Sequence, residues 1–522
     1  MTRAVALVMA LLVAGPTVAN AASRPPDPLI LHALQRLTYG PRPGDLERAE
    51  AVGLAAWLEQ QLDPARMDDI ATERALDALP TLAMSIGDLH RGYPPPRTQN
   101  FAATPNDMEA GAARRPIRIA GELQAARMLR AVRSERQLQE VMVDFWANHF
   151  NVFVAKGELR WYTTAWERDV IRPHALGRFP ELLRASARHP AMLFYLDNWL
   201  SVRPDFTRRF GPNAGRRAGL NENYARELME LHTLGVDGGY TQRDVTEVAR
   251  AFTGWTIDTP RADAHFVFRP AMHDSGTKVV LGHALRRGGE GDGEDVLDLL
   301  ARHPSTARFI ATKLARRFVA DDPPPLLVER VARVYRDTGG DIRAMLRTIV
   351  TSPEFRASAV VAAKIKKPTE LVASAARAVG AALDARGALT LARAAAEIGE
   401  GFYEAQAPTG HPDRAEAWVS PGALLARLNF ALALVDNRLA GVRVDTGALV
   451  TGVDRRDPAA VLARLLAALL HGRASDATRE VLGAQLSAPV ITRLTADDAG
   501  AADTDVAKLG ALVLGSPEFQ RR

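Results

Sequence analysis

The chain has 522 residues, of which 47% are hydrophobic and 24% are charged, and its formal net charge is +5. This length exceeds what one ordinary hydrophobic core can hold, and the composition is that of a globular protein. Because basic and acidic residues alternate instead of forming a basic block, the composition argues against nucleic-acid binding. The absence of cysteine excludes disulfides, thiol nucleophiles and cysteine-ligated metal clusters.

The first element in chain order is a signal-peptide pattern. Arg3 precedes an apolar run at 4–14, and the small residues ANA follow at 19–21. The apolar run is shorter than the roughly 20 residues that span a bilayer, so we expect a Sec-type signal peptide cleaved after Ala21. The alternative is a buried N-terminal helix. The pattern predicts a periplasmic or secreted protein with no integral membrane segment once the signal is removed.

Most of the remaining chain has the apolar periodicity of helices, and residues that favour helix dominate it. The exception is 264–282, where 265–269 alternates with period two and 278–282 is rich in valine. We expect these two segments to form one small β-hairpin inserted in a mainly α-helical protein. The polar stretches 92–116 and 201–219 are predicted to be irregular, mobile loops.

The length predicts two helical domains after the signal segment 1–21. We expect the boundary near 358–368, where alanine-rich helices begin. The predicted organisation is therefore a main helical domain over 22–360, which carries the hairpin, and a C-terminal alanine-rich helical domain over 361–522.

One predicted helix, at 135–150 (ERQLQEVMVDFWANHF), is apolar over most of its surface. Glu140, Asp144 and Asn148 form a narrow polar stripe on it, at about 100° per residue. A helix that is apolar over so much of its surface is buried, and a buried carboxylate needs a partner. We expect Asp144 to meet a metal ion, a proton or an arginine. The arginines considered for this pairing are Arg127, Arg130, Arg133 and Arg226.

The stretch 221–232 (NENYARELMELH) is the densest polar stretch that still has helical periodicity. Glu227 and Glu230 fall on one side of this helix, whereas His232 lies on the opposite, apolar side. One interpretation is a core histidine below a solvated acidic face. The other is that this acidic stripe meets the stripe of Asp144 inside the protein, where the acids act in general acid–base catalysis or bind a hard cation.

The predicted hairpin carries an adjacent histidine and aspartate. Such a pair can ligate a metal or orient a base, although an aspartate in a turn more often bonds to its own backbone. No sequence motif specifies a metal or cofactor, since HExxH, GxSxG, P-loop, EF-hand and Rossmann patterns are absent. The candidate catalytic residues are Asp144, Glu227, Glu230, His273 and Asp274.

Eight long stretches, taken in chain order, are specific enough for comparison with known families: HALQRLTYGPRPGD (32–45), DFWANHFNVF (144–153), ERDVIRPHALGRF (167–179), PAMLFYLDNWLS (190–201), NENYARELMELHTLGVDGGYTQRDV (221–245), ARAFTGW (249–255), HDSGTKVVLG (273–282) and HPSTARFIATKLARRFV (303–319). Together they resemble the bacterial family catalogued as domain of unknown function 1800. The resemblance covers roughly 30–440. It implies an exported, mostly helical protein of unassigned biochemistry. It also implies a partner, because genes of this family often lie beside genes for exported proteins related to sulfatases and phosphatases.

Two hypotheses for the function follow. The first is an exported hydrolase that uses the carboxylate cluster on an envelope or extracellular polymer, with His273 and Asp274 capping the site. The second is a non-catalytic periplasmic protein that binds or matures another exported protein, such as the sulfatase- or phosphatase-like neighbour. Unpaired carboxylates that converge on a concave pocket favour the first hypothesis. Acids that are each paired with arginine favour the second.

Overall fold

The computed structural model describes residues 27–95, 115–207, 219–486 and 503–522. The predicted signal peptide lies outside these residues, as do most of the two predicted loops. Within the described ranges, no helix is long and apolar enough to cross a membrane.

The chain is mainly α-helical, as predicted. Prolines at helix starts and side-chain caps set many of the helix boundaries. Pro28 opens the first helix, for example, and the carboxylate of Asp27 before it accepts a hydrogen bond from the backbone N–H of Leu29 at 2.8 Å. The α-helices are α1 (Pro28–Leu37), α2 (Asp45–Val52), α3 (Leu54–Leu62), α4 (Ile70–Leu76), α5 (Ile86–Gly92), α6 (Ile117–Arg133), α7 (Gln137–His149), α8 (Leu159–Ala165), α9 (Arg172–His174), α10 (Phe179–Arg188), α11 (Pro190–Tyr195), α12 (Asn223–Glu227), α13 (Gln242–Ala251), α14 (Glu290–Arg302), α15 (Pro304–Phe318), α16 (Pro325–Thr338), α17 (Ile342–Val350), α18 (Pro353–Arg356), α19 (Pro368–Ala378), α20 (Ala385–Ile398), α21 (Pro421–Val435), α22 (Thr446–Leu449), α23 (Pro458–Leu470), α24 (Asp476–Gln485) and α25 (Val506–Gly515).

Two helices continue into a π-helical turn, in which backbone bonding is offset by five residues instead of four. Trp166–Ile171 follows α8, and Leu228–Thr233 follows α12. In the second turn, the N–H of Leu234 donates to the carbonyl of Met229 at 2.7 Å, across five positions. Such turns are rare in proteins and are frequent near functional sites.

The strands occur as three two-stranded antiparallel sheets in the described part of the chain. Strands form at both predicted places in 264–282, but they do not pair with each other. The expected single hairpin is therefore wrong in its pairing, because each strand belongs to a separate hairpin. In the first hairpin, 265–268 pairs with 255–258, to which it is joined by a short connection. In the second, 279–280 pairs with 283–284, and the positive φ values of Leu281 and Gly282 form the turn between them. The strands are β1 (Trp255–Asp258), β2 (His265–Phe268), β3 (Val279–Val280), β4 (His283–Ala284), β5 (Ala382–Leu383) and β6 (Val442–Arg443).

Helix α6 contacts helices from both sides of the expected domain boundary. It packs along α20 and also contacts α7, α8 and α19. Buried apolar side chains from both sides of the expected boundary near 358–368 belong to one continuous cluster. The division into domains over 22–360 and 361–522 stays a prediction, and side chains from both parts meet around α6.

Candidate functional site

The polar stripe of α7 faces inwards, and its members contact different segments of the chain. Glu140 forms a bidentate ion pair with Arg172, whose Nη1 lies 3.0 Å from Oε2. One turn beyond Asp144, the side-chain amide of Asn148 exchanges two hydrogen bonds with the backbone of His411: its Nδ2 donates to the carbonyl at 2.8 Å, and its Oδ1 accepts from the N–H at 2.7 Å. The stripe therefore joins α7 to segments far away in the sequence.

Asp144 has two cationic partners. Nη2 of Arg127, on α6, donates to one carboxylate oxygen at 2.7 Å, and Nζ of Lys367 lies 3.4 Å from the other. Lys367 immediately precedes α19, and its Nζ is also 2.8 Å from Oε1 of Glu400. Burial acts to raise the pKa of Asp144, but Lys367 and Arg127 outweigh it and hold that pKa below its ordinary value. Asp144 is thus an ionised partner of two buried cations.

The first π turn places Glu167 at the centre of a group of arginines. Its carboxylate lies 3.4 Å from Arg127, 3.5 Å from Arg172 and 3.7 Å from Arg130. The hydroxyl of Tyr403 donates to it at 2.9 Å. Glu167 is 1% exposed, so its charge is stabilised entirely by these neighbours and not by water.

These contacts form one continuous chain of alternating charges, which we call the core ion network. Because it contains four cations and four acids, its formal charges cancel, and no buried charge is left without a partner of opposite sign. The network ties together α6, α7, the first π turn, the start of α9, the residue before α19 and the segment after α20. Its members are Arg127, Arg130, Arg172, Lys367, Glu140, Asp144, Glu167 and Glu400.

A small pocket opens beside the core ion network. It has about 320 Å³ of empty space, counting its open mouth, but the centre of a water molecule can occupy only about 20 Å³ of it. That is enough for an ordered water and too little for a segment of polymer. The side chains and backbone that line it belong to Arg127, Asp144, Ala147, Asn148, Asn151, Thr369, Glu400, Gly401, Phe402, Tyr403 and His411.

The second acidic stripe, on α12 and its π turn, does not contact the stripe of α7. The two helices meet through their apolar sides, where Nε2 of His149 bonds with the backbone carbonyl of His232 at 3.1 Å. Glu227 and Glu230 are half-buried, and Glu230 accepts a hydrogen bond from the Tyr240 hydroxyl at 3.1 Å. Burial and the neighbouring Glu230 raise the pKa of Glu227. Within the described residues, no hydrogen bond or ion pair joins the two stripes.

A line of polar groups nevertheless runs between the stripes. Nδ2 of Asn151, in the small pocket with Asp144, is 3.5 Å from the hydroxyl of Tyr195. Burial raises the pKa of Tyr195 to about 12, and the charge of Glu227 contributes to the increase. An amide and a phenol thus lie between the pocket of Asp144 and the surroundings of Glu227.

His273 and Asp274 belong to a different cluster. The ring of His273 bonds through Nδ1 to a backbone carbonyl at 2.7 Å and faces Asp292 at 3.2 Å through Nε2. Nζ of Lys278 lies 2.7 Å from the same Asp292 carboxylate. Asp274 is paired with Arg250 at 2.8 Å and accepts a backbone N–H two residues on, which is the turn contact considered as the alternative. Within the described ranges, no hydrogen bond or ion pair connects this cluster to the core ion network.

The structure therefore distributes the five predicted residues over three places. Among the described residues, no group of three or more histidine, aspartate and glutamate side chains could hold a metal ion. Sequence reasoning missed Lys367, Glu400 and Tyr403, although the need of a buried Asp144 for a cation was recognised. Lys367 was missed because only arginines were considered as partners of Asp144. In the sequence it stands directly before the proline of KPTE that opens α19.

Comparison with known proteins confirms the family resemblance and extends it beyond residue 440. A family model described as "Protein of unknown function (DUF1800)" matches residues 32–521. No curated protein and no solved structure matches the chain. The matched range includes every member of the core ion network, as well as His273 and Asp274.

Proposed function

We propose that this chain, which belongs to the DUF1800 family of proteins of unknown function, binds another exported protein and does not hydrolyse a polymer. The observation that carries this proposal is the core ion network. Its acids, Asp144 included, are each paired with arginine or lysine, and the adjoining pocket holds little more than a water. A general acid needs a proton that substrate can reach, and a general base needs a free oxygen that substrate can reach. Asp144 meets neither requirement, because its pKa is lowered and its two oxygens are engaged by Arg127 and Lys367.

Export is the first part of the proposal. It rests on the signal-peptide pattern at 1–21, and the mature chain would begin at Ala22 in the periplasm or outside the cell. N-terminal sequencing of protein from the envelope fraction tests this. Sequence starting at Ala22 supports export, whereas full-length protein confined to the cytoplasm contradicts it.

The second part of the proposal concerns a surface on α21. Leu424, Leu425 and Leu428 are 43%, 61% and 42% exposed, and Val419 just before the helix is 42% exposed. The three leucines have spacing i, i+1, i+4, which places them on one side of the helix. Helix α21 also packs on α25, and the partly exposed Leu428 borders Gly515 at the end of that helix. We call this group of four side chains the α21 apolar face.

The α21 apolar face fits a protein partner. Adjacent exposed leucines are costly in water, and contiguous apolar patches of this kind are typical of interaction sites. Covering one leucine completely contributes about 1.5–3 kcal/mol. The proposed occupant is the exported sulfatase- or phosphatase-like protein whose genes lie beside those of the family, as the resemblance implies.

The test is to purify the two mature proteins and measure their association by isothermal titration calorimetry. Leu425→Asp should weaken binding by at least about tenfold, since it removes apolar area and buries a charge. Leu326→Asp is the matched control, because Leu326 is 79% exposed on α16, a different helix. It should leave the affinity within about twofold of the wild type.

Two outcomes would overturn the proposal. One is the absence of association between the wild-type proteins at micromolar concentrations. The other is an equal effect of the Leu425 and Leu326 substitutions, which would show that any surface charge weakens the complex. Thermal melts of both variants separate loss of binding from loss of folding.

A hydrolase is the second candidate function, and Glu227 is the observation that favours it. This carboxyl is half-buried, has a raised pKa and lies beside Glu230, which are properties of a general acid. Glu227→Gln should then abolish hydrolysis of envelope polymers while leaving the fold intact. Glu222→Gln, at the residue that precedes this helix, is the control. Retained hydrolysis in Glu227→Gln would exclude this role.

A further inference from the structure

A second pocket, much larger than the one beside Asp144, also borders the core ion network. It lies between the end of α4 and the segment 77–83 on one side, and α6, α8, the first π turn and Arg172 on the other. The centre of a water molecule can occupy about 340 Å³ of it, compared with about 20 Å³ in the pocket beside Asp144. This volume is in the range of sites that hold small molecules.

The wall formed by 77–83 is apolar and is fixed to the helices around it. Nη1 of Arg168, in the first π turn, donates to the backbone carbonyl of Leu82 at 3.2 Å. The backbone N–H and the hydroxyl of Thr81 both donate to one carboxylate oxygen of Glu122, on α6, at 2.9 and 2.8 Å. The apolar side chains that line the pocket are Leu76, Leu79, Pro80, Leu82, Ala83 and Leu123. The pocket is therefore preformed, with an apolar wall held at a set distance from α6.

The guanidinium of Arg130 lines this pocket and forms no hydrogen bond within the described part of the chain. Its contact with the core ion network is the distance of 3.7 Å to Glu167, which is longer than a hydrogen bond. That carboxylate is bonded instead by Arg127 at 3.4 Å and by the Tyr403 hydroxyl at 2.9 Å. The five N–H donors of Arg130 are thus available to an acceptor in the pocket.

Thr164, on α8, supplies a second unused donor. It is 1% exposed and lines the same pocket, and its Oγ1 has no hydrogen-bond partner among the described residues. A threonine in a helix can donate to the carbonyl four residues earlier, as the neighbouring Thr163 does to Leu159 at 2.6 Å. A buried hydroxyl without a partner costs free energy, which an acceptor bound in the pocket would recover.

We propose that this pocket binds a small aliphatic carboxylic acid, with the carboxylate on Arg130 and Thr164 and the hydrocarbon chain on the leucine wall. The planar guanidinium matches the two oxygens of a carboxylate, and such charge-assisted hydrogen bonds are stronger than those to a neutral acceptor. The hydroxyl of Thr164 donates to one of the same oxygens. The chain of the ligand, in turn, removes apolar area of the leucines from water.

Isothermal titration calorimetry of the wild-type protein with octanoate tests the proposal. Octanoate should bind saturably, and at least about tenfold more tightly than octanol, which has the same chain without the carboxylate. The absence of saturable octanoate binding below about 10 mM overturns the proposal. Equal affinities for octanoate and octanol overturn it as well, because they would show an apolar slot that does not recognise the carboxylate.

A matched pair of variants tests the role of Thr164. Thr164→Val keeps the shape of the side chain and removes a hydroxyl that no described residue bonds, so the melting temperature should not decrease. The affinity for octanoate should nevertheless fall about fivefold. Thr163→Val, at the adjacent position outside the pocket, is the control and should leave that affinity within about twofold. An equal effect of the two substitutions on octanoate binding overturns the proposal.

Arg130→Gln tests the carboxylate contact. It should weaken octanoate at least about tenfold and octanol no more than about twofold, because only octanoate carries the charge that Arg130 pairs with. Equal weakening of both ligands overturns the assignment of Arg130 to the carboxylate. If Arg130→Gln does not fold, the Thr164 and Thr163 pair decides. The pocket contains no residue of α21, so these results are independent of partner binding at the α21 apolar face.

Discussion

The core ion network makes a quantitative prediction for Asp144→Asn. The amide preserves the volume of the side chain, so no cavity term arises, and only the charge is removed. The contacts with Arg127 and Lys367 lose their ionic character, and each charge-assisted hydrogen bond contributes about 1.5–3 kcal/mol. Both cations keep a second acid, since Arg127 retains Glu167 and Lys367 retains Glu400.

This residual pairing determines the expected magnitude. Removing one partner of a buried ion pair typically destabilises a protein by about 3–5 kcal/mol, and the remaining acids place Asp144→Asn near the lower end of that range, at about 3 kcal/mol. Lys367→Met should cost more, about 5 kcal/mol, because it leaves both Asp144 and Glu400 short of a cation. Both values refer to the free energy of unfolding at neutral pH.

Chemical denaturation followed by circular dichroism measures these changes. The double variant should be less destabilised than the sum of the single variants, by about 0.5–3 kcal/mol, because the two residues share one network. Asp322→Asn is the control, since it breaks an ion pair with Arg414 at 2.6 Å in which the acid is 82% exposed. It should change stability by less than about 1 kcal/mol.

A loss of less than about 1 kcal/mol for Asp144→Asn would refute this reasoning, because it would equate a buried acid with a surface one. Additivity of the Asp144 and Lys367 effects would likewise show that they do not interact. If Asp144→Asn left stability unchanged but abolished a hydrolytic activity of the protein, Asp144 would be a functional acid. That result would count against the proposed binding function.

Three further predictions concern other residues. Burial lowers the pKa of His232 from 6.5 to about 3, so the unfolded chain binds more protons than the folded chain between these pH values. The contribution of His232 to the free energy of unfolding should therefore be full above pH 6.5 and decrease as the pH falls towards 3. Urea midpoints measured across this range should fall less in His232→Gln than in the wild type. The raised pKa of Glu227 acts in the opposite direction: its contribution to the free energy of unfolding is present below the unfolded pKa near 4.5 and is lost as the pH rises through the folded value. Glu227→Gln should therefore raise the melting temperature at neutral pH, and a lower melting temperature would contradict the raised pKa. Gly410→Ala should loosen the segment around residue 410 from α7, because Gly410 has φ of 71° and an added Cβ would lie 2.5 Å from the backbone oxygen of Asn148; hydrogen exchange there should increase, and unchanged protection would argue against the contact.

Much of the helical architecture could be predicted from the sequence. The narrow polar stripe of 135–150 correctly predicted that α7 is buried, and the apolar position of His232 predicted a buried ring, which is 1% exposed. The pairing of strands could not be predicted in the same way. The four-residue strand at 255–258 has too little periodicity to be recognised, and the pairing of 279–280 depends on positive φ values at Leu281 and Gly282.

The candidate site was only partly predictable for a related reason. A buried acid on an apolar helix requires a partner, and Arg127 was among the expected arginines, as the structure confirms. Lys367 and Glu400 lie more than 200 residues further along the chain, and no periodicity states which helices will pack against each other. The chemistry required at Asp144 was therefore visible in the sequence, whereas the residues that supply it were not.

The π turns have a consequence for how the length of this chain can vary. Each turn accommodates one more residue than an α-helix would, so deleting a residue there restores α-helical spacing and rotates the downstream helix by about 100°. Across Trp166–Ile171, that rotation would carry Arg172 away from Glu167, which it now faces at 3.5 Å from five positions along the chain. A substitution alters one side chain, but a deletion changes the register of every contact that follows. Among relatives of this protein, insertions and deletions are expected in the connections between helices, while these two segments keep a constant number of residues.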